Sequence, residues 1–289
     1  MLMLGNLHGA RGMPGVVAHG WAALAALMVL LWSAMSLAGT WLGLPVINRS
    51  TTLALHLAFA PYGFMGLLAL GLSYILVPMF ALSNAPAERS QLISFVLAVL
   101  ALVLAGLAAV GLLPGPLRVV ALVSAALAVG LHLRLMVDAL RSGMRRELGR
   151  SMLLVKIGWG GLVASLVLGL VLVLDWPLPH AETWFGLCLI GVWLLSFLLG
   201  MLQRILPFLA SMHAAGTGRR APTPSALTDE RALRIHFGCH VAALAGLALA
   251  IVFDSSLLVA LAAVVGATGA LAFCVFYVTL RLRLQRAGT

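Results

Sequence analysis

Apolar residues run through this chain in long blocks separated by short polar breaks, and eight of the blocks are long enough to cross a bilayer as helices. They lie near 16–38, 52–82, 91–113, 117–140, 152–174, 182–213, 232–253 and 257–280. A helix needs about 20 apolar residues to span the hydrocarbon. The blocks are apolar all round and lack the polar/apolar alternation of a lipid-embedded strand, so they predict helices and not a β-barrel. Only the break from Ala214 to Arg231, with Gly216, Gly218, Pro222 and Pro224, is long enough to be a linker. It joins spans and does not separate domains. The expected fold is all-α, a polytopic membrane helix bundle with eight transmembrane helices in a single integral membrane domain, residues 1–289.

Composition removes the soluble alternatives. With 63% hydrophobic residues, 9% charged residues and a mean hydropathy of +1.12, the chain cannot be divided into a core and a water-facing surface. The lipid bilayer is its first partner. The net charge of +10 changes the picture only through its placement. Arg49 and Arg118 fall at one membrane face, whereas Arg11, Arg89, Arg134, Arg141, Arg145, Arg146, Arg150, Lys156, Arg204 and the arginines from Arg219 to Arg286 fall at or toward the other. By the positive-inside rule the N and C termini are both cytoplasmic. The charge is a topology signal, and no nucleic acid is expected. The run from Val16 to Leu37 is too long for a signal-peptide core and reads as a retained anchor. Cys188, Cys239 and Cys274 all lie within spans and imply no disulfide framework.

Two stretches echo each other. Gly71-Leu-Ser-Tyr-Ile-Leu-Val-Pro78-Met-Phe closes the second span, and Gly200-Met-Leu-Gln-Arg-Ile-Leu-Pro207-Phe-Leu closes the sixth. Gly20-Trp21 is answered by Gly158-Trp159, and the fourth and eighth spans both end in basic tails. The echoes indicate either two four-helix repeats, 1–150 and 151–289, or coincidence between apolar helices. Repeats with an even number of spans would share one orientation.

Polar groups inside spans carry the chemistry, because each is costly there unless it faces a cavity, a cofactor or a partner. Histidine dominates. His56 lies near the outer face of the second span, while His19, His132, His213, His236 and His240 lie toward the inner face; His8 and His180 fall in exposed segments. At helical spacing Gly63 and Gly71 share a face with His56. That strip either admits the edge of a flat porphyrin or makes small-residue helix contacts, with His56 bonded to a neighbouring carbonyl. His236 and His240, spaced i,i+4, share one face. They can ligate one metal, supply an axial haem ligand and its supporting group, or mark a hydrated helix end. His132 stands beside Arg134 and Asp138, whose spacing suits an ion pair, and His19 is a further inner ligand candidate.

His56-Leu-Ala-Phe-Ala-Pro61-Tyr-Gly63-Phe-Met-Gly66, followed by Gly71 to Pro78, resembles the second transmembrane helix of heme-copper oxidase subunit I. The resemblance covers roughly residues 56–83. It is weaker for nitric-oxide-response haem and copper membrane proteins of the NnrS type. In the oxidases a histidine at this place ligates the low-spin haem, so the resemblance implies that His56 is an axial ligand of a haem b, with Met35, His180 or a second subunit as candidates for the opposite ligand. The chain has no His-Pro-Glu-Val-Tyr-like segment and no His-His pair. The resemblance therefore stops short of a complete oxygen-reducing centre.

Together these features lead to the expectation of a haem-binding, oxidoreductase-like protein of a bacterial-type inner membrane, serving respiratory electron transfer, O2 or NO chemistry, or haem and copper handling. The cofactor-binding candidates are His56, His240, His236, His132, His19, Gly63 and Gly71, and the metal-ligating subset is His56, His240 and His236, with copper as a second metal. Oxidase subunits, a quinone or cytochrome, and a second copy of the chain are the candidate partners. The rival readings are a cofactor-free transporter and a structural accessory or assembly subunit. Hydrolytic motifs are absent from the spans.

Overall fold

The computed structural model describes residues 12–43, 48–112, 116–145, 147–216 and 222–286. Among them there is no strand, and eight helices are long and apolar enough to cross a membrane. These are α1 (Pro14–Leu42), α2 (Arg49–Ala81), α3 (Glu88–Ala109), α4 (Pro116–Ser142), α5 (Gly149–Val173), α6 (Ala181–Gly216), α7 (Glu230–Phe253) and α8 (Ser256–Arg286). The chain is a multi-pass membrane protein built as a helical bundle.

Local chemistry explains several of the boundaries. Asn48 caps α2 by accepting from the Ser50 and Thr51 amides at 2.9 and 3.4 Å. Asp229 caps α7 in the same way, accepting from Arg231 and Ala232 at 3.1 and 3.2 Å. Asp254, in the left-handed region at φ 46°, turns the chain from α7 into α8, a conformation that Asp tolerates better than most residues. Arg283 closes the linker side of that hairpin by donating to the Ala226 and Thr228 carbonyls.

Two compact units divide the chain. One comprises Met1–Glu147 with Gly169–Pro177; the other comprises Leu148–Leu168 with Leu178–Thr289. In each unit the second long helix contains a π-helical stretch, Phe59–Gly66 in α2 and Leu187–Leu195 in α6. The echo motif with its glycine and proline follows directly in both. A π stretch carries i→i+5 hydrogen bonds and often marks a functional site.

Helix contacts repeat with the same spacing in the two units. In the first, a Cβ on Gly71 would come within 2.6 Å of His19 Cβ, and one on Gly63 within 2.9 Å of Ala26 Cβ. In the second, a Cβ on Gly200 would come within 3.0 Å of Leu154 Cβ, while Gly161 is seated against Val192 and Trp193. His19 thus corresponds to Leu154, and Ala26 to Gly161. This register sets Gly158 level with Ala23, so Gly158-Trp159 is not the counterpart of Gly20-Trp21. Exposure agrees: Trp21 is 41% exposed and Trp159 is buried. The third and fourth helices of each unit match as well. Six residues into α3, Ser94 donates to the Ala128 carbonyl of α4 at 3.0 Å; six residues into α7, His236 Nδ1 reaches the Gly269 carbonyl of α8 at 3.0 Å.

Candidate functional site

His56 stands two turns into α2, half-buried, on the segment that Asn48 caps. Its Nδ1 lies 3.2 Å from Ser33 Oγ of α1, and Ser33 also lies 2.9 Å from the Leu30 carbonyl. A hydroxyl has one proton, and a carbonyl only accepts. With the Ser33 proton given to the Leu30 carbonyl, Oγ accepts from His56 Nδ1–H and the lone pair lies on Nε2. A histidine tied through one nitrogen so that the other is presented is the arrangement that orients metal-ligating imidazoles. The π stretch begins three residues after this histidine.

Of the two readings of the glycine strip, the contacts are those of small residues between helices. Gly63 faces Ala26 and the Phe59 ring, and Gly71 faces His19 Cβ and the Val16 carbonyl. Both seat α1 against α2, as small residues do between membrane helices. His56, Gly63 and Gly71 all meet α1, opposite Ser33, Ala26 and His19, so the shared face expected from their spacing is present across the π stretch. Among the described residues neither glycine presents open backbone to a cofactor.

A second group lies where α1 begins and α2 and α4 end. His19 and His132 are fully buried on either side of Tyr74, with ring centroids 5.6 and 5.1 Å from it in edge-to-face geometry. Phe95 of α3 closes the side of His19 at 5.1 Å. His19 Nδ1 lies 2.7 Å from the Gly15 carbonyl, to which it donates, so its lone pair also falls on Nε2. Arg134 and Asp138 are exposed, so His132 belongs with the aromatic cluster and not with that charged pair.

The second unit brings His236 and His240 together as expected from their spacing, with rings stacked 5.9 Å apart at 25°. They are held through different nitrogens. His236 Nδ1 donates to the Gly269 carbonyl, leaving Nε2 buried with no hydrogen-bond partner. His240 Nε2 lies 2.8 Å from Ser196 Oγ, which itself reaches the Gly191 carbonyl at 3.2 Å inside the π stretch of α6. Ser196, like Ser33, spends its one proton on a carbonyl, so His240 donates from Nε2. Phe273 packs 5.2 Å from His236.

No protein-family model, curated protein or solved structure matches the chain. The chemistry of the side chains themselves carries the reading of the site.

Three imidazoles, those of His56, His19 and His236, are fixed through Nδ1 and present Nε2. Each can bind a metal or accept a proton. Among the described residues no three His, Cys, Asp or Glu converge as a metal cage. A ligand set here would rest on single histidines, as axial haem ligation does. Met35, a candidate for the opposite ligand, is 74% exposed on α1, and His180 is exposed at the start of α6. His213 is exposed near the end of α6, and His8 lies outside the described residues. The three cysteines are free thiols.

Ser33, Tyr74 and Ser196 complete these groups, and sequence reasoning does not find them. Ser33 and Ser196 pair with histidines 23 and 44 residues away, and no local spacing signals that. Tyr74 had a signal. It stands four residues before Pro78, where Gln203 stands before Pro207, so the echo motif places a polar side chain at the same point in both units.

Proposed function

We propose that this protein binds a b-type haem through His56 and serves redox or gas-ligand chemistry in a bacterial-type inner membrane. The observation that carries the reading is the Ser33–His56 contact, which suits a half-buried imidazole held in the tautomer an axial ligand needs. The neighbouring π stretch and the resemblance of residues 56–83 to the second helix of heme-copper oxidase subunit I add support. A bound haem would supply a one-electron couple and, at an open axial position, a site for a diatomic ligand. Ser33 orients the ligand, Asn48 fixes the start of its helix, and Gly63 holds α1 against α2 on the step next to the Ser33–His56 contact.

In the proposed topology both termini are cytoplasmic and His56 lies toward the outer face. His19, His132, His236 and His240 then lie toward the inner face, where His236 and His240 are the candidates for a copper or second haem ligand. Oxidase subunits, a quinone or a cytochrome are the proposed redox partners, with self-association as a further possibility. The two units are read as repeats of one four-helix design.

The test is haem content per chain after purification in mild detergent, for wild type and His56→Ala. Haem bound by wild type and lost from a folded variant supports the reading. Equal haem content in both removes His56 as a ligand. A second reading, a cofactor-free transporter or accessory subunit, draws on the glycines being occupied by helix contacts. It predicts no bound haem in either protein.

A further inference from the structure

The connection between α6 and α7 is longer than joining them requires. It takes residues 217–229, whereas the corresponding connection of the first unit, between α2 and α3, takes residues 82–87. From Thr223 to Ala226 its side chains are exposed, but Leu227 is buried, at 1% exposure. Leu227 enters an apolar cluster with Leu233 near the start of α7 and with Phe276 and Leu280 near the end of α8. Phe273 packs on the same cluster, 5.6 Å from Phe276 and 5.2 Å from His236 by ring centroids. Packing thus runs from the connection through two phenyl rings to His236, whose side chain is 2% exposed.

The segment carries its own turn but not its own stability. Pro224–Leu227 is one helical turn, and a turn of that length does not persist alone in water. Thr223 Oγ1 accepts from the Ala226 amide at 3.3 Å and the Thr228 hydroxyl donates to the Pro224 carbonyl at 2.8 Å, so the internal bonds keep the shape of the turn. Attachment to the bundle comes from elsewhere. Carbonyls at the C-terminal end of a helix lack partners within it and draw cationic side chains. Arg283 of α8 donates through Nη1 to two carbonyls there, those of Ala226 at 3.2 Å and Thr228 at 2.7 Å. One apolar side chain and one guanidinium hold the turn down, a hold small enough for it to open locally while the bundle stays folded. Asp229, which caps α7, stays with that helix.

We propose that residues 223–228 form a latched plug, in which Leu227 closes the linker end of the second unit, Arg283 holds it shut, and release opens His236 to water. His236 Nδ1–H is committed to the Gly269 carbonyl, so Nε2 is an enclosed lone pair with no hydrogen-bond partner. Plugged, that nitrogen is insulated from protons; unplugged, it can take one up from the linker end. The plug does not depend on iron at His56, and its test needs no haem.

The experiment is carbethoxylation of the full chain in detergent by diethyl pyrocarbonate, which attacks an unprotonated imidazole nitrogen, read histidine by histidine by mass spectrometry. His213, exposed on α6, is the open control, and His132, 1% exposed in the first unit, is the closed one. In wild type His236 is expected to react on the order of 100-fold more slowly than His213. Arg283→Ala removes the latch and Leu227→Ala removes the plug. Each should speed the reaction of His236 by about ten-fold with His132 unchanged. Arg283→Lys, which keeps a cation able to donate, should stay nearer to wild type. No acceleration at His236 in either alanine variant overturns the proposal. So does an equal rise at His132, which would mean that the bundle had loosened throughout, and so does a wild-type His236 as reactive as His213, which would mean that the end is not closed.

Discussion

Ser33 and His56 meet across α1 and α2 with Oγ 3.2 Å from Nδ1, and the serine passes its own proton to the Leu30 carbonyl at 2.9 Å. With Nδ1–H on Ser33, it is Nε2 of His56 that is available. The contact also makes α1 part of the site, although the sequence motif lies wholly in α2.

Ser33→Ala removes the acceptor for Nδ1–H and leaves both helices in place. Supporting groups of this kind are worth about 10–100-fold in ligand affinity. The variant is expected to hold haem more weakly by that factor, measured as transfer of haem to an apo-globin acceptor. An unchanged transfer rate means the serine does not orient a ligand.

Gly71→Ala separates the two uses considered for the glycines. The new Cβ would lie 2.6 Å from His19 Cβ, and overpacking of this kind costs about 1–3 kcal/mol. A lower melting temperature in detergent is expected, with haem per folded chain unchanged. Gly130→Ala is the control, since a Cβ there meets nothing within 4 Å. It is expected to be neutral or to stabilise α4 by about 0.5–1 kcal/mol. Loss of haem from a stable Gly71→Ala would return the glycine to the cofactor.

Ser196 and His240 should be coupled energetically. Polar pairs between membrane helices average about 0.6 kcal/mol and reach about 1.7. This one is short and buried, at 2.8 Å, and belongs in the upper part of that range. A double-mutant cycle of Ser196→Ala and His240→Phe, read by denaturation in mixed micelles, should give a coupling of about 1–1.7 kcal/mol. Strictly additive losses would show that the bond does not contribute.

Most of the architecture was legible because span length and hydropathy answer to one constraint, the thickness of the hydrocarbon. The eight predicted blocks and the eight helices agree to within a few residues at most ends. The i,i+4 spacing of His236 and His240 likewise translated into a shared face. Hidden from sequence was the winding within the helices. Residues 59–66 and 187–195 carry no charged side chain, so no polar periodicity marks the change from α to π, whereas the shared face of His56, Gly63 and Gly71 was legible, since all three meet α1. The pairing of Gly20-Trp21 with Gly158-Trp159 failed for a related reason: identity of residue type was used where register was needed, and the contacts of Gly71 and Gly200 supply that register. Serine partners for His56 and His240 could not be read, because nothing in a span distinguishes a serine that meets a histidine from one that bonds its own carbonyls.

The most direct measurement is a reduced-minus-oxidised optical difference spectrum of the purified chain, recorded for wild type and His56→Ala. A haem b signal in wild type that is lost from the folded variant is the predicted result. A featureless wild-type spectrum from protein produced with haem available, or an identical haem signal in both proteins, contradicts the assignment of iron to His56.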